Sequence, residues 1–309
     1  MRFSLLNPAF MASLSLFAAM SQAWGAKYPN VNHQSKVKDL MAKANYDHAE
    51  SWLETFTNFH NRHYLSEFGA LAGIWLFEEI KKVTSPSPSI ETIKIEHNFN
   101  QSSIIVRIPG EKDSTVIVST YYDTFAGYRS ARAPGATDNA STVVAFLEAL
   151  RVISMKKKLN LRNTLEFHFY AGSHGGFYGA QQIISAYHKE KKNIVALLHQ
   201  ANVGYSPTGK INLYTDHSDV DLRRYVGHVA VHYSDGIGPL GACGYLCGDH
   251  VIARSRGFPT AYVTGDWETP WYVGGKDDSM EKVDPSAVLR HAKFTIAFAI
   301  ETSLNKIGK

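Results

Sequence analysis

Short apolar runs alternate with segments of helical spacing along this chain, and that alternation constrains its fold more than any other feature. Val116-Ile117-Val118-Ser119-Thr120 is a compact apolar run of the kind found in a strand buried on both faces. Thr164 to Tyr170, Ile194 to Ala201 and the shorter Ala261-Tyr262-Val263 also read as strands, and Ile90 to His97 and Ser103 to Ile108 precede them. Asp47 to Lys82 has helical spacing (Trp52, Leu53 and Phe56, then Leu71, Ile74, Trp75 and Phe77), interrupted from Asn58 to Phe68. A turn-rich stretch, Phe125 to Pro134, leads into Asp138-Asn139-Ala140-Ser141, which suits the start of a helix running to Ile153. The glycine-rich turn Gly172 to Gly179 opens a helix through Tyr187, and Pro285 to Ser303 predicts a final amphipathic helix. This pattern predicts the α/β class: a single domain over residues 27–309, with a mostly parallel twisted sheet flanked by helices on both faces. Functional residues of such sheets gather at the C-terminal ends of the strands.

The chain has 309 residues, 44% hydrophobic and 19% charged, enough apolar content for a sizeable core and too much for disorder. A net charge of +4, with both signs dispersed along the chain, does not predict a nucleic-acid partner. Residues 1–25 read as a secretory signal peptide: Met1-Arg2, an apolar stretch from Leu5 to Met20, and small residues before cleavage after Ala23 or Gly25. The alternative, an uncleaved anchor, is opposed by Asn7, Pro8 and the serines that interrupt the run. The mature chain is thus expected to be secreted, with no membrane association after signal cleavage. In that compartment Cys243 and Cys247 are expected to form a small local disulfide, the alternative being two buried thiols. Asn100-Gln101-Ser102 is a candidate glycosylation site, whereas Asn139-Ala140-Ser141 fits the sequon but is expected to be buried.

Ser51 to Asn58, Ala133 to Ser141, Glu166 to Gly172, and Cys243-Gly-Tyr-Leu-Cys-Gly-Asp-His250 together resemble the secreted M28 zinc aminopeptidases, the leucine aminopeptidases of fungi and bacteria. The resemblance spans nearly the whole mature chain, in order and at matching spacings, and implies a zinc-exopeptidase-like fold. It also implies two zinc ions sharing a bridging carboxylate, each with an imidazole and a further carboxylate. A glutamate would accept the proton of the metal-bound water.

The residues at those positions depart from that chemistry. Asp138 keeps the place of the bridging carboxylate. Tyr121 stands where the first imidazole belongs, and a phenol must lose a proton of pKa ~10 before it binds zinc well. Asp123, the residue that would orient that imidazole, is retained. Ser173 replaces the general base and His174 the neighbouring carboxylate ligand; serine is no base at neutral pH, and histidine brings no negative charge. Ala201 and Gly274 fall at the two remaining ligand positions and have no donor atoms. No zinc is therefore expected, or at most one, held by Asp138 and His174 with Tyr121, Glu268 or water as a third group. The reading favoured over that residual site is that Asp138 serves as a capping and turn residue of the following helix, hydrogen-bonded to backbone amides.

Among the chain's other histidines, His168, within a predicted strand, and His250 read as structural. Ser173-His174 makes a poor nucleophile pair, since neighbours on a turn rarely face each other. Tyr121, Tyr122, Trp267, Trp271 and Tyr272 are expected to ring the cleft. These residues favour an inactive pseudopeptidase that binds a peptide or small molecule in the former active-site cleft. The alternative is an enzyme with a remodelled cleft: a weak one-zinc peptidase, or a metal-free biosynthetic isomerase or cyclase.

Overall fold

The computed structural model describes residues 27–156 and 158–308, so the predicted signal peptide lies outside the described residues. Three helices come first: α1 (Gln34–Met41), α2 (Asp47–Asn58) and α3 (Glu67–Thr84). Ser66 starts α3 by accepting the Gly69 N–H on its side chain, and Lys81 and Lys82 sit in the last turn against the helix dipole. There follow β1 (Glu91–Ile95), β2 (Ser103–Ile108), β3 (Lys112–Tyr121), α4 (Ser141–Ser154), β4 (Asn163–Tyr170), α5 (Tyr178–Lys189) and β5 (Ile194–Ala201). The C-terminal part adds β6 (Ile211–Tyr214), α6 (Val220–Tyr233), β7 (Ile237–Gly241), α7 (His250–Ser255), β8 (Thr260–Thr264) and α8 (Pro285–Leu304).

The strands form one eight-stranded sheet in the order β1-β2-β4-β3-β5-β8-β6-β7. The central β4, β3, β5 and β8 are parallel, as the alternation predicts. The edges make the sheet mixed: β2 runs antiparallel to both β1 and β4, and β6 antiparallel to β8. The elements from β6 to α7 carry weak sequence signals. β6 has four residues, too few to display a period, and Ile-Gly-Pro-Leu-Gly in β7 is poor in strand formers.

Period-two alternation sorts the sheet into two cores. Val116, Val118, Leu165, Phe167, Leu198 and Val263 face a large cluster shared with α4 and α8. Ile117, Tyr121, Tyr170, Leu197, Ala201 and Tyr262 face the smaller cluster under α5 and α7. The second face also buries a polar network around Glu166, which has no solvent exposure. Its carboxylate accepts from His168 Nε2 (2.9 Å), Tyr187 Oη (2.9 Å), Lys192 Nζ (2.7 Å) and Arg107 Nε (2.9 Å). His168 is thereby the hydrogen-bonded core histidine that the sequence suggests.

Burial pushes the Glu166 carboxyl up, but His168 and Lys192 outweigh it and hold the group well below the ordinary carboxylate range. A depressed folded-state pKa stabilises the fold above the unfolded value of ~4.3, and this contribution fades as pH falls further. Glu166→Gln leaves two cations without their buried partner and is expected to cost about 3 kcal/mol in urea unfolding at pH 7. A loss below ~1 kcal/mol, the range of exposed pairs, would contradict this assignment.

Candidate functional site

The sequence-derived site residues converge where the parallel strands end. Tyr121 closes β3 and Ala201 closes β5, while Ser173 and His174 lie in the turn after β4. The Tyr121 hydroxyl donates to Asp138 Oδ1 at 2.7 Å. His174 lies between two carboxylates, its Nε2 3.4 Å from Asp138 Oδ2 and its Nδ1 3.3 Å from Asp123 Oδ2. Asp123 also accepts the backbone N–H groups of Ser173 (2.9 Å) and His174 (3.0 Å). It therefore orients the Ser173–His174 turn and not the side chain on β3. Asp138 does not cap α4: its carboxylate faces Tyr121 and His174, and Ala140 at the helix start makes no side-chain cap.

Desolvation works against a protonated His174, but Asp138 and Asp123 outweigh it and hold the imidazole charged well above its ordinary range. Burial likewise pushes Asp138 up, and the charge of His174 with hydrogen bonds from His174 and Tyr121 brings it below the ordinary carboxylate value. Burial, reinforced by Asp138, raises the Tyr121 phenol well above 10.0. At neutral pH the trio is phenol, carboxylate and imidazolium. The Tyr121 hydroxyl and the His174 ring both engage Asp138, and a neutral phenol is a weak metal ligand.

The other positions add no donors. Ser173 Oγ is committed to Asp249, 2.8 Å from each carboxylate oxygen. Ala201 is fully buried. Gly274 lies beside the carboxylate, where an added Cβ would stand 3.3 Å from Asp138 Oδ2, and its φ of +76° suits glycine. Among the described residues no three His, Cys, Asp or Glu side chains gather to hold a metal ion. Glu268, the suggested third ligand, is exposed, and its backbone N–H is bound to Asp266. The donors present do not fit a pair of zinc ions.

Three positioning residues escaped the sequence reading. Arg62 is fully buried, and its guanidinium donates to the carbonyls of Tyr122 (2.9 Å), Phe56 (3.1 Å), Pro134 (2.5 Å) and Gly135 (2.8 Å). Asp278 accepts the N–H groups of Thr137 and Asp138 at 2.9 Å each and of Gly274 at 3.3 Å, so it fixes both sides of the cleft floor. Asp249 is almost fully buried under Ser173, with His199 Nε2 3.8 Å from its Oδ2. Its signal was the Gly248-Asp249-His250 sequence directly after the second cysteine.

The remaining assignments divide. Cys243 and Cys247 are joined as a disulfide. His250 is buried against the rings of His199 and Tyr262. The Ser173 hydroxyl and the His174 ring have different partners, so they form no nucleophile–base pair. Tyr122 does not line the cleft: it points to the opposite face of the sheet, and its hydroxyl donates to the Ser102 carbonyl. Trp271 does line the cleft and is 82% exposed, whereas Trp267 packs near Gly241. Asn100 is exposed and Asn139 buried, as expected for the two sequons.

Burial raises the Asp249 carboxyl to about 7; the Ser173 hydrogen bond opposes this and the charge of Asp123 adds to it. A group whose acid form is favoured by folding binds more protons in the folded state between its two pKa values, so its contribution declines as pH rises from ~4 to ~7. Asp249→Asn removes that decline. Relative to the wild type, the variant is expected to gain roughly 2–4 kcal/mol between pH 5 and pH 8, read from denaturant midpoints. A constant difference across that range would contradict the assignment.

The sequence profile described as Peptidase family M28 matches residues 103–299. A probable leucine aminopeptidase of Arthroderma otae is 35% identical over 279 residues, covering 88% of this chain and 77% of that protein. Leucine aminopeptidase 1 of Blastomyces gilchristii is 33% identical, covering 95% of this chain and 80% of its own. The crystal structure of the Legionella pneumophila LapA aminopeptidase superposes with a TM-score of 0.85 at 21% identity, covering 92% of this chain and 79% of LapA, a likeness of fold. No helix among the described residues is long and apolar enough to cross a membrane. With the fold, the ordered motifs and the relatives in agreement, this chain belongs to peptidase family M28.

Proposed function

We propose that this protein is a secreted M28 pseudopeptidase that has lost the dinuclear zinc centre and acts by binding a peptide or small molecule in the former cleft. One observation carries the reading. Asp138, the retained bridging position, has its two oxygens engaged by the Tyr121 hydroxyl and the His174 ring of this chain. Its neighbours at the other ligand positions are a buried alanine and a glycine. Ser173 has no basicity at neutral pH, and its proton is already directed to Asp249. Secretion rests on the N-terminal signal sequence and agrees with the disulfide, which persists in oxidising compartments.

The second reading is an enzyme that reuses the cleft without the two metals. The Asp249 carboxyl favours it: a buried group raised to about 7 has the proton affinity of a general acid or base near neutral pH. Such an enzyme would carry out an isomerisation or cyclisation; a weak one-zinc peptidase would need a third ligand beside Asp138 and His174.

The purified full chain is expected to contain less than one equivalent of zinc by elemental analysis and to leave leucine p-nitroanilide intact. Tyr121→His, Ser173→Glu, His174→Glu, Ala201→Asp and Gly274→His together are expected to regain tight zinc binding. The same set without Gly274→His serves as the control for strain at that backbone. Two tightly held equivalents in the wild type, with cleavage that a chelator stops, would overturn the proposal. A folded fivefold variant that binds no zinc would overturn the assignment of the ligand positions.

A further inference from the structure

Two loops wall a cavity of about 540 Å3 at the mouth of the cleft, one running from Phe125 to Arg132 and the other from Trp271 to Lys276. That volume lies within the range of small-molecule sites. Phe125, Tyr128 and Trp271 present large apolar surfaces there, 39%, 65% and 82% exposed. Exposed aromatics gathered at one cavity mark a binding surface more often than scattered ones do.

The charge of the lining is one-sided. It includes Arg132 and Lys276 and no carboxylate, and neither cation has an ion-pair partner among the described residues. Arg132 also borders a neighbouring recess containing Asp47, Glu50, Glu54 and Glu281 without an ion pair to any of them, while Lys276 does not border it. At the floor, Gly274 brings the cavity to Asp138, whose two oxygens already face the Tyr121 hydroxyl and the His174 ring. An ammonium entering this cavity meets two like charges and no free carboxylate. A carboxylate meets two unpaired cations, of which the arginine can bind it in bidentate fashion, and an attached ring finds aromatic faces to stack on.

We infer that the cavity between Tyr128 and Trp271 binds a small aromatic carboxylate, with Arg132 and Lys276 holding the anionic group. This deepens the pseudopeptidase proposal and rests on it, since it takes the cleft to be a binding site and not a zinc centre. It also gives the site the opposite charge preference to that of an aminopeptidase, which must hold a free amino terminus.

Isothermal titration of the full chain at neutral pH and low salt tests this with two probes: N-acetyl-L-phenylalanine, an aromatic carboxylate without an ammonium, and L-phenylalaninamide, an aromatic ammonium without a carboxylate. The first is expected to bind at least tenfold more tightly. Arg132→Gln with Lys276→Gln is expected to weaken it at least tenfold, and Trp271→Ala to weaken it as well. Both cations are exposed, so the double variant is expected to fold, with circular dichroism as the check. Equal or tighter binding of the amide, no binding of either probe, or unchanged affinity in the double variant would overturn the inference. Failure of the pseudopeptidase reading shows separately, as chelator-sensitive release of nitroaniline from leucine p-nitroanilide. Absence of binding without such cleavage overturns the carboxylate site alone.

Discussion

A guanidinium with no access to solvent holds the cleft in place. Arg62 joins the end of α2, the end of β3 and the turn at Pro134–Gly135 through hydrogen bonds to four carbonyls, and its plane lies over the Phe56 ring at 4.4 Å. A buried charge is costly unless its donors are matched, and here carbonyl dipoles do most of the matching. Burial lowers its pKa to about 10, with Asp278, Asp138 and Asp123 opposing that shift, so it remains a cation at neutral pH. The segments it joins carry Tyr121, Asp123 and Asp138 into the cleft. The scaffold around Asp138 is therefore held by hydrogen bonds within the chain that need no metal.

The charges within the cleft follow the same logic. Two clustered zinc ions bring four positive charges and call for several carboxylates. This chain retains Asp123 and Asp138 at the centre and sets one imidazolium between them. Asp278 accepts backbone N–H groups, and Asp249 accepts the Ser173 hydroxyl. These acidic groups have partners close by, whereas Arg132 and Lys276, which have no ion-pair partner among the described residues, lie at the mouth. A metal entering beside Asp138 would have to displace the Tyr121 hydroxyl, and Ala201 and Gly274 add no donor in return.

Much of this was legible in the sequence. β2 and β5 lie where their residue patterns place them, and the motif order locates Gly274 beside Asp138 across the fold. The short edge strands were hidden because four or five residues with glycine and proline show no period. Tyr121 and Tyr122 are adjacent in sequence, but successive residues of an extended chain point to opposite faces and only Tyr121 reaches the cleft. Arg62 and Asp278 are not legible in the sequence for a shared reason. Their partners are backbone groups or side chains far away in sequence, and such partnerships leave no spacing to read.

The central claim is that Asp138 is satisfied by protein donors and cannot bridge two cations. Anomalous scattering at the zinc edge from crystals soaked in excess zinc addresses it directly. The account predicts no peak between Asp138 and Gly274 and an intact contact from the Tyr121 hydroxyl to the Asp138 carboxylate. Two peaks a few Å apart, bridged by Asp138, with the Tyr121 ring swung away, would contradict it.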